Sequence, residues 1–214
     1  EIKNPLTPIQ LSIDRLKDKY TSRIAEGQKE FNNYLETINR QIKDIETLVN
    51  EFSSFARMPS PIFKKIDICE IIDRAVNFLA LSSKNSIIFK KNKLKFFING
   101  DEEQLYRMFI NLIKNSEEAI LERKQKTIDL KGLIELDINK NNDYIVISLS
   151  DNGIGIVNKE KIMTPYFTTK KNGTGLGLPI VNKIINEHSG EFSVSNKITN
   201  KGVEVLITFP LINE

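Results

Sequence analysis

Asp151-Asn152-Gly153-Ile154-Gly155-Ile156 and Gly173-Thr174-Gly175-Leu176-Gly177-Leu178 bracket the stretch that decides how this chain folds. The first follows Tyr144–Ser150, whose alternation is that of a strand. A carboxylate leaving a strand end can accept a hydrogen bond from an exocyclic amine, and glycines let a flat ring approach the backbone. A plain Asp-Asn-Gly turn has the same letters. The second opens a helix running to about His188. Free backbone donors and the positive dipole end make a phosphate site there. The spacing is neither the dinucleotide fingerprint G-x-G-x-x-G nor the P-loop G-x-x-x-x-G-K-[ST]. Between them, Pro165-Tyr166-Phe167-Thr168-Thr169-Lys170-Lys171 has the apolar anchors and lysines of a mobile lid over phosphates, although an ordinary loop fits as well.

Upstream, Asn111 and Asn115 fall one helical turn apart on a helix from Asp101, its N-cap after a turn at Gly100, to about Glu122. Amide oxygens are hard, neutral ligands suited to a Mg²⁺ already partly neutralised by phosphates, and Glu118 lies one turn further on. Two asparagines on a solvated face give the same spacing. Further elements are a strand at 63–68, a helix at 69–81, strands at 86–90 and 95–98, a hairpin of 133–139 and 144–150 turning at Asn141-Asn142-Asp143, and strands at 191–195 and 203–209. Strand hairpins beside three helices predict a mixed α/β sandwich rather than a doubly wound sheet.

Apolar residues at Ile2, Leu6, Ile9, Ile13, Leu16 and Tyr20, then at Phe31, Leu35, Ile38, Ile42, Ile45, Val49 and Phe52, alternate four and three apart, which is a heptad seam on two helices. The short connection around Gly27 folds them into an antiparallel hairpin. One hairpin leaves half its seam uncovered, so pairing of two copies into a four-helix bundle is expected. Pro5 and Pro8 predict a kink costing about 3 kcal/mol. Pro59 and Pro61 end the second helix, giving a hairpin at 1–57, a linker at 58–62 and an α/β domain at 63–214.

Composition narrows the classes. With 40% hydrophobic and 28% charged residues, the chain is globular rather than disordered. A net charge of +3 is too small for a nucleic-acid footprint, so no nucleic-acid partner is expected. One cysteine, Cys69, and one histidine, His188, exclude an internal disulfide and Cys/His zinc sites. No apolar run exceeds four residues, against about 20 for a membrane span, and the N-terminal residues do not form a signal peptide. These 214 residues, lacking an initiator Met, are expected to be cytoplasmic, to touch no membrane, and to belong to a longer protein with room for a membrane anchor upstream.

Taken together, the paired asparagines, D-N-G-I-G-I, P-Y-F-T-T-K and G-T-G-L-G-L resemble the N, G1, F and G2 boxes of sensor histidine kinases, within the wider gyrase, Hsp90 and MutL-type (Bergerat) ATPase superfamily. Glu1-Ile-Lys-Asn4-Pro5 resembles their H-box, H-E-x-x-N-P, without its histidine, which would sit one position before Glu1. E-F-S-S-F-A-R-M-P at the end of the second helix is similar to NtrY-type nitrogen-regulation sensor kinases. The resemblance implies ATP and Mg²⁺ as cofactors, with the adenine amine on Asp151 and Mg²⁺ at Asn115 beside Asn111. Gly153, Gly155, Tyr166, Thr169, Lys170, Gly173, Thr174, Gly175, Leu176 and Gly177 would complete the nucleotide site.

It further implies transfer of the γ-phosphoryl to the histidine and then to an aspartate of an NtrX-like response-regulator receiver domain, in a homodimer whose whole chain is anchored in the bacterial inner membrane. Glu1 would serve as general base and Asn4 would orient water for regulator dephosphorylation. Without the histidine, these residues alone are not expected to autophosphorylate. His188 is expected to interact with a helix C-terminus rather than accept phosphate. Ser116 stands where alanine is commoner, and Ser189 where glycine is. The rival readings are a related ATPase, disfavoured because Asn111 stands where that group has a water-activating glutamate, and a nucleotide-independent dimerisation and docking module.

Overall fold

The computed structural model describes residues 6–24, 26–56, 58–90, 95–127, 129–170, 173–198 and 201–212. The chain splits into two compact units, Glu1–Met58 with Thr168–Leu176, and Pro59–Phe167 with Gly177–Glu214.

In the first unit, α1 (Leu6–Tyr20) and α2 (Gln28–Ala56) are joined through Gly27, whose φ of 82° suits glycine. Side-chain bonds from Gln10 to Asn39 and from Thr21 to Asn32 hold α2 back along α1. The heptad seam divides in two. Ile13, Leu35 and Ile42 are buried, with Leu6 and Phe31 packed on them, while Ile9, Leu16, Tyr20, Ile38, Ile45 and Phe52 stay exposed. A two-helix hairpin has a single inner face, so the other apolar residues lie outside it. The kink expected at Pro5 falls outside the described residues, whereas Pro8 lies within α1. Thr174 Oγ1 donates to the Glu51 carboxylate, tying the segment 168–176 to α2. By sequence alone that segment falls within the stretch 63–214. A bond between residues 123 apart leaves no local signal.

In the second unit, β2 (Ser86–Lys90), β4 (Leu133–Asn141), β5 (Tyr144–Asp151), β6 (Glu191–Asn196) and β7 (Val203–Pro210) form one sheet, in the order β2-β4-β5-β7-β6. The β2–β4 pair is parallel and the others antiparallel. β1 (Lys64–Asp67) and β3 (Phe97–Gly100) make a separate antiparallel ribbon. Ile134, Leu136 and Ile138 of β4, with Ile145, Ile147 and Leu149 of β5, alternate into the core. Helices α3 (Ile68–Ala80), α4 (Glu102–Lys124) and α5 (Gly177–Glu187) bury Ile72, Leu105, Phe109, Leu112, Val181 and Ile184. Two layers, helices on sheet, are the expected α/β sandwich.

Asp67 and Asp101 cap α3 and α4 by accepting from Cys69 N–H and Gln104 N–H, each at 3.0 Å. Gly100, read from sequence as a turn, instead ends β3 opposite Lys64, and β3 begins at Phe97 rather than Lys95. Among the described residues no helix is long and apolar enough to cross a membrane.

Candidate functional site

The second unit gathers one group of the expected residues at the end of β5. Asp151 is the last residue of that strand, opposite Ile134, and is only 3% exposed. Its Oδ1 accepts the N–H groups of Gly153 at 2.7 Å and Val203 at 3.2 Å. Its Oδ2 accepts the Ser116 hydroxyl at 3.1 Å. A carboxylate offers about four lone-pair directions, so one on Oδ2 has no donor among the described residues. Burial pushes the Asp151 carboxyl above its ordinary pKa, although the Gly153 and Val203 N–H groups, the Ser116 hydroxyl and the Lys197 charge pull the other way.

The loop after Asp151 is held from three sides. Ile154 N–H reaches the Ala119 carbonyl of α4 at 3.2 Å, and Asn152 bonds Leu133 N–H and the Lys131 carbonyl with its side chain. Asn196 clamps Ile156 through both of its backbone groups, at 2.7 and 2.8 Å. Gly153 is required by close approach, because a Cβ there would sit 2.7 Å from the Ala119 Cβ. Gly155 is required by its φ of 86°.

On α4, Asn111 and Asn115 are half-buried one turn apart, and the buried Nδ2 of Asn111 has no hydrogen-bond partner. An unsatisfied buried donor costs about 1–3 kcal/mol. An anionic oxygen brought to it would relieve that cost. A Cβ at Gly177, the first residue of α5, would lie 3.5 Å from Asn115 Nδ2. The N-terminus of α5, the positive end of its dipole, thus faces Asn115. Among the described residues no three His, Cys, Asp or Glu side chains form a metal cluster. A divalent cation here would need phosphate oxygens as well as the amide oxygens of Asn111 and Asn115, while Glu118 is exposed.

The remaining site residues are apportioned between the units. Tyr166 belongs to the second, exposed, with a φ of 68°. Thr169, Lys170, Gly173, Thr174, Gly175 and Leu176 belong to the first. There Thr169 is exposed, Lys170 half-buried, Leu176 fully buried, Gly175 at φ 70°, and the Thr174 hydroxyl bonds Glu51. In the same segment a Cβ at Gly173 would come 2.4 Å from the Thr168 hydroxyl oxygen. Glu1, Asn4 and Lys171 lie outside the described residues.

The comparisons bear on this arrangement. The model for the histidine kinase-, DNA gyrase B- and HSP90-like ATPase family matches residues 100–213, more than half the chain. The chain belongs to that family. The histidine kinase A (phospho-acceptor) domain model matches residues 1–61, which pairs the ATPase with the hairpin as in sensor histidine kinases. Nitrogen regulation protein NtrY of Azorhizobium caulinodans is 36% identical over 97% of this chain and 27% of its own length. A putative NtrY-like sensor histidine kinase of Rickettsia bellii is 37% identical over 95% of this chain and 33% of its own. This histidine kinase-like chain therefore spans about a third or less of those relatives. The nucleotide-free catalytic domain of histidine kinase ThkA matches with a TM-score of 0.60 and 27% identity, over 70% of this chain and 95% of its own.

Three residues of the site were not legible as such in the family motifs. Ser116 was read as a small exchange for alanine but is 4% exposed and bonded to Asp151. Asn196 holds the loop through Ile156, and a Cβ at Gly202 would meet the Asp151 carbonyl at 2.0 Å. Gly202, with a φ of 132°, carried a signal as a glycine just before a strand, whereas Ser116 and Asn196 carried none.

His188 meets the C-terminal turn of α5, as expected, but does so as a buried ring that also reaches α4. Its Nε2 accepts the Asp101 N–H at 2.9 Å, which puts the proton on Nδ1, 2.7 Å from the Ile184 carbonyl. Burial lowers its pKa, against the opposing pull of the Ile184 carbonyl, Asp101 and Glu187. It is a neutral core residue, and the last turn of α5 receives an uncharged donor.

Proposed function

We propose that this chain is the catalytic core of a protein-histidine kinase that binds Mg-ATP. The adenine amine is received by Asp151, and the phosphates by the Asn111 amide, the α5 N-terminus at Gly177 and the loop carrying Lys170, Gly173, Thr174, Gly175 and Leu176, with Gly153 and Gly155 against the base and Tyr166 and Thr169 in the lid. A Mg²⁺ bound through Asn115 would neutralise phosphate charge. The observation that carries this reading is the buried Asp151 carboxylate, with three of its acceptor directions filled by the chain and one left over.

The acceptor is a histidine next to Glu1 in the whole protein, not His188, whose two ring nitrogens are both engaged in the core. Glu1 takes the imidazole proton and the chain holds the ring in line with the phosphates. An aspartate on a response-regulator receiver domain, of the NtrX kind by resemblance, then receives the phosphoryl group, and Asn4 orients the water that hydrolyses the aspartyl phosphate to aspartate and inorganic phosphate. Residues 1–57 serve dimerisation and phosphotransfer, 58–62 link, and 63–214 bind nucleotide. The exposed half of the heptad seam supports a homodimer. The whole protein would be anchored in the bacterial inner membrane with this part in the cytoplasm.

The test is incubation of the whole protein with γ-labelled radioactive ATP. An acid-labile, alkali-stable label on the protein, lost in Asp151→Asn, is the expected result. Label that persists undiminished in that variant, or no label at all, would contradict the proposal.

A further inference from the structure

Asp151 and Ser116 come from different elements, the end of β5 and the middle of α4, and both are almost fully buried. The Ser116 hydroxyl has a single proton, and at 3.1 Å from Oδ2 that proton points at the carboxylate. Oδ1 is already saturated by the Gly153 and Val203 N–H groups. The plane of the carboxylate is thereby set by three donors on two oxygens. Alanine in place of Ser116 would leave Oδ2 with no donor from the chain.

We propose that Ser116 is a positioning residue for base recognition: its hydroxyl fixes the Asp151 carboxylate and leaves one acceptor direction, which takes the exocyclic amine of adenine. The inference rests on the nucleotide reading above and goes beyond it in naming what holds the carboxylate ready. A donor to Oδ2 favours the ionised form, which can only accept a hydrogen bond. A protonated carboxyl would instead donate, and so would suit the 6-oxo group of hypoxanthine. By holding Asp151 ionised, Ser116 preserves the discrimination between amino and oxo purines as pH falls. Burial raises the pKa of Asp151 and the Ser116 hydroxyl opposes that rise, so losing the hydroxyl raises it further. Of the charged groups around it, Lys197 acts on the carboxylate, Arg123 of α4 is committed to the Asn152 carbonyl at 2.7 Å, and Glu118 of α4 is exposed.

The experiment is calorimetric titration of wild type, Ser116→Ala and Ser116→Thr with a non-hydrolysable ATP analogue and with inosine triphosphate, at pH near 6 and near 8. Ser116→Ala is expected to bind the ATP analogue roughly 5- to 20-fold more weakly, with the larger loss near pH 6. Its preference for adenine over hypoxanthine should narrow at that pH. Ser116→Thr, which keeps the hydroxyl, should return affinity to within about threefold of wild type. A Ser116→Ala protein with lowered thermal stability but wild-type affinity and pH profile would show a structural role alone and overturn the inference. A wild type that binds no nucleotide would overturn the nucleotide reading itself, and this inference with it.

Discussion

The imidazole of His188 accepts the backbone N–H of Asp101 at 2.9 Å, joining the end of α5 to the start of α4 across a buried contact. Phe63 and Phe209 meet the same ring edge-on, with centroids 5.2 and 6.3 Å away. Asp101 in turn accepts Ile62 N–H at 2.8 Å, so the segment leaving the prolines is fixed to the same point.

Burial lowers the His188 pKa below its ordinary value of 6.5. A base depressed by folding contributes stability that is complete above its unfolded pKa and is lost as pH falls below it. Urea unfolding followed from about pH 8 down to about pH 5 should show stability falling below pH 6.5. His188→Ala should remove that part of the slope and cost roughly 3 kcal/mol at pH 7, by emptying a packed site and orphaning the Asp101 N–H. An unchanged slope in the variant would refute the assignment.

Asp151 has the opposite sign. Its pKa is raised by burial, so the stability tied to its protonated form is full below the ordinary 3.8 and is lost as pH rises through the folded value. At neutral pH the ionised group is a cost that function requires. Asp151→Asn should therefore melt higher than wild type near pH 7 and gain nothing near pH 3.5. Thermal melts by circular dichroism at the two pH values decide this; a lower melting point at pH 7 would contradict it.

Ser189 stands at φ 55° in a Schellman ending, where Gly190 N–H reaches the Ile185 carbonyl at 2.9 Å and Ser189 N–H the Asn186 carbonyl at 3.1 Å. A side chain in the left-handed region costs about 1–2 kcal/mol. Ser189→Gly should stabilise the protein by about 1 kcal/mol in chemical denaturation. A loss of stability would mean that the serine side chain earns its place in another way.

Ile38 is 44% exposed on the outer side of the hairpin, between the inward Leu35 and Ile42. Ile38→Asp should leave the hairpin folded and abolish dimers, read as a halved mass in light scattering. Ile13→Ala, on the inner side, should instead cost about 2–4 kcal/mol of hairpin stability. A dimer that survives Ile38→Asp would place the interface elsewhere.

The elements that periodicity and capping announce were legible in the sequence. The seam gave both helices of the hairpin, β2 fell at Ser86–Lys90, and Asp101 capped α4. The spatial order was not. The parallel pairing of β2 with β4, and the insertion of β7 between β5 and β6, join segments far apart along the chain. In the candidate site, Asp151, Asn111 and Asn115 announced themselves through residue type and spacing. Ser116, Asn196 and Gly202 act only through contacts made by folding. The helix-end contact of His188 was legible, but its burial and its link to Asp101 were not, because they depend on elements far away along the chain.

Calorimetric titration of this chain with a non-hydrolysable ATP analogue, with and without Mg²⁺, tests directly whether Asp151 receives an adenine base. Wild type should bind in a Mg²⁺-dependent manner, and Asp151→Asn should lose about 1.5–3 kcal/mol, roughly 10- to 150-fold in Kd. Absence of binding by wild type, or equal affinity in the variant, would contradict the account.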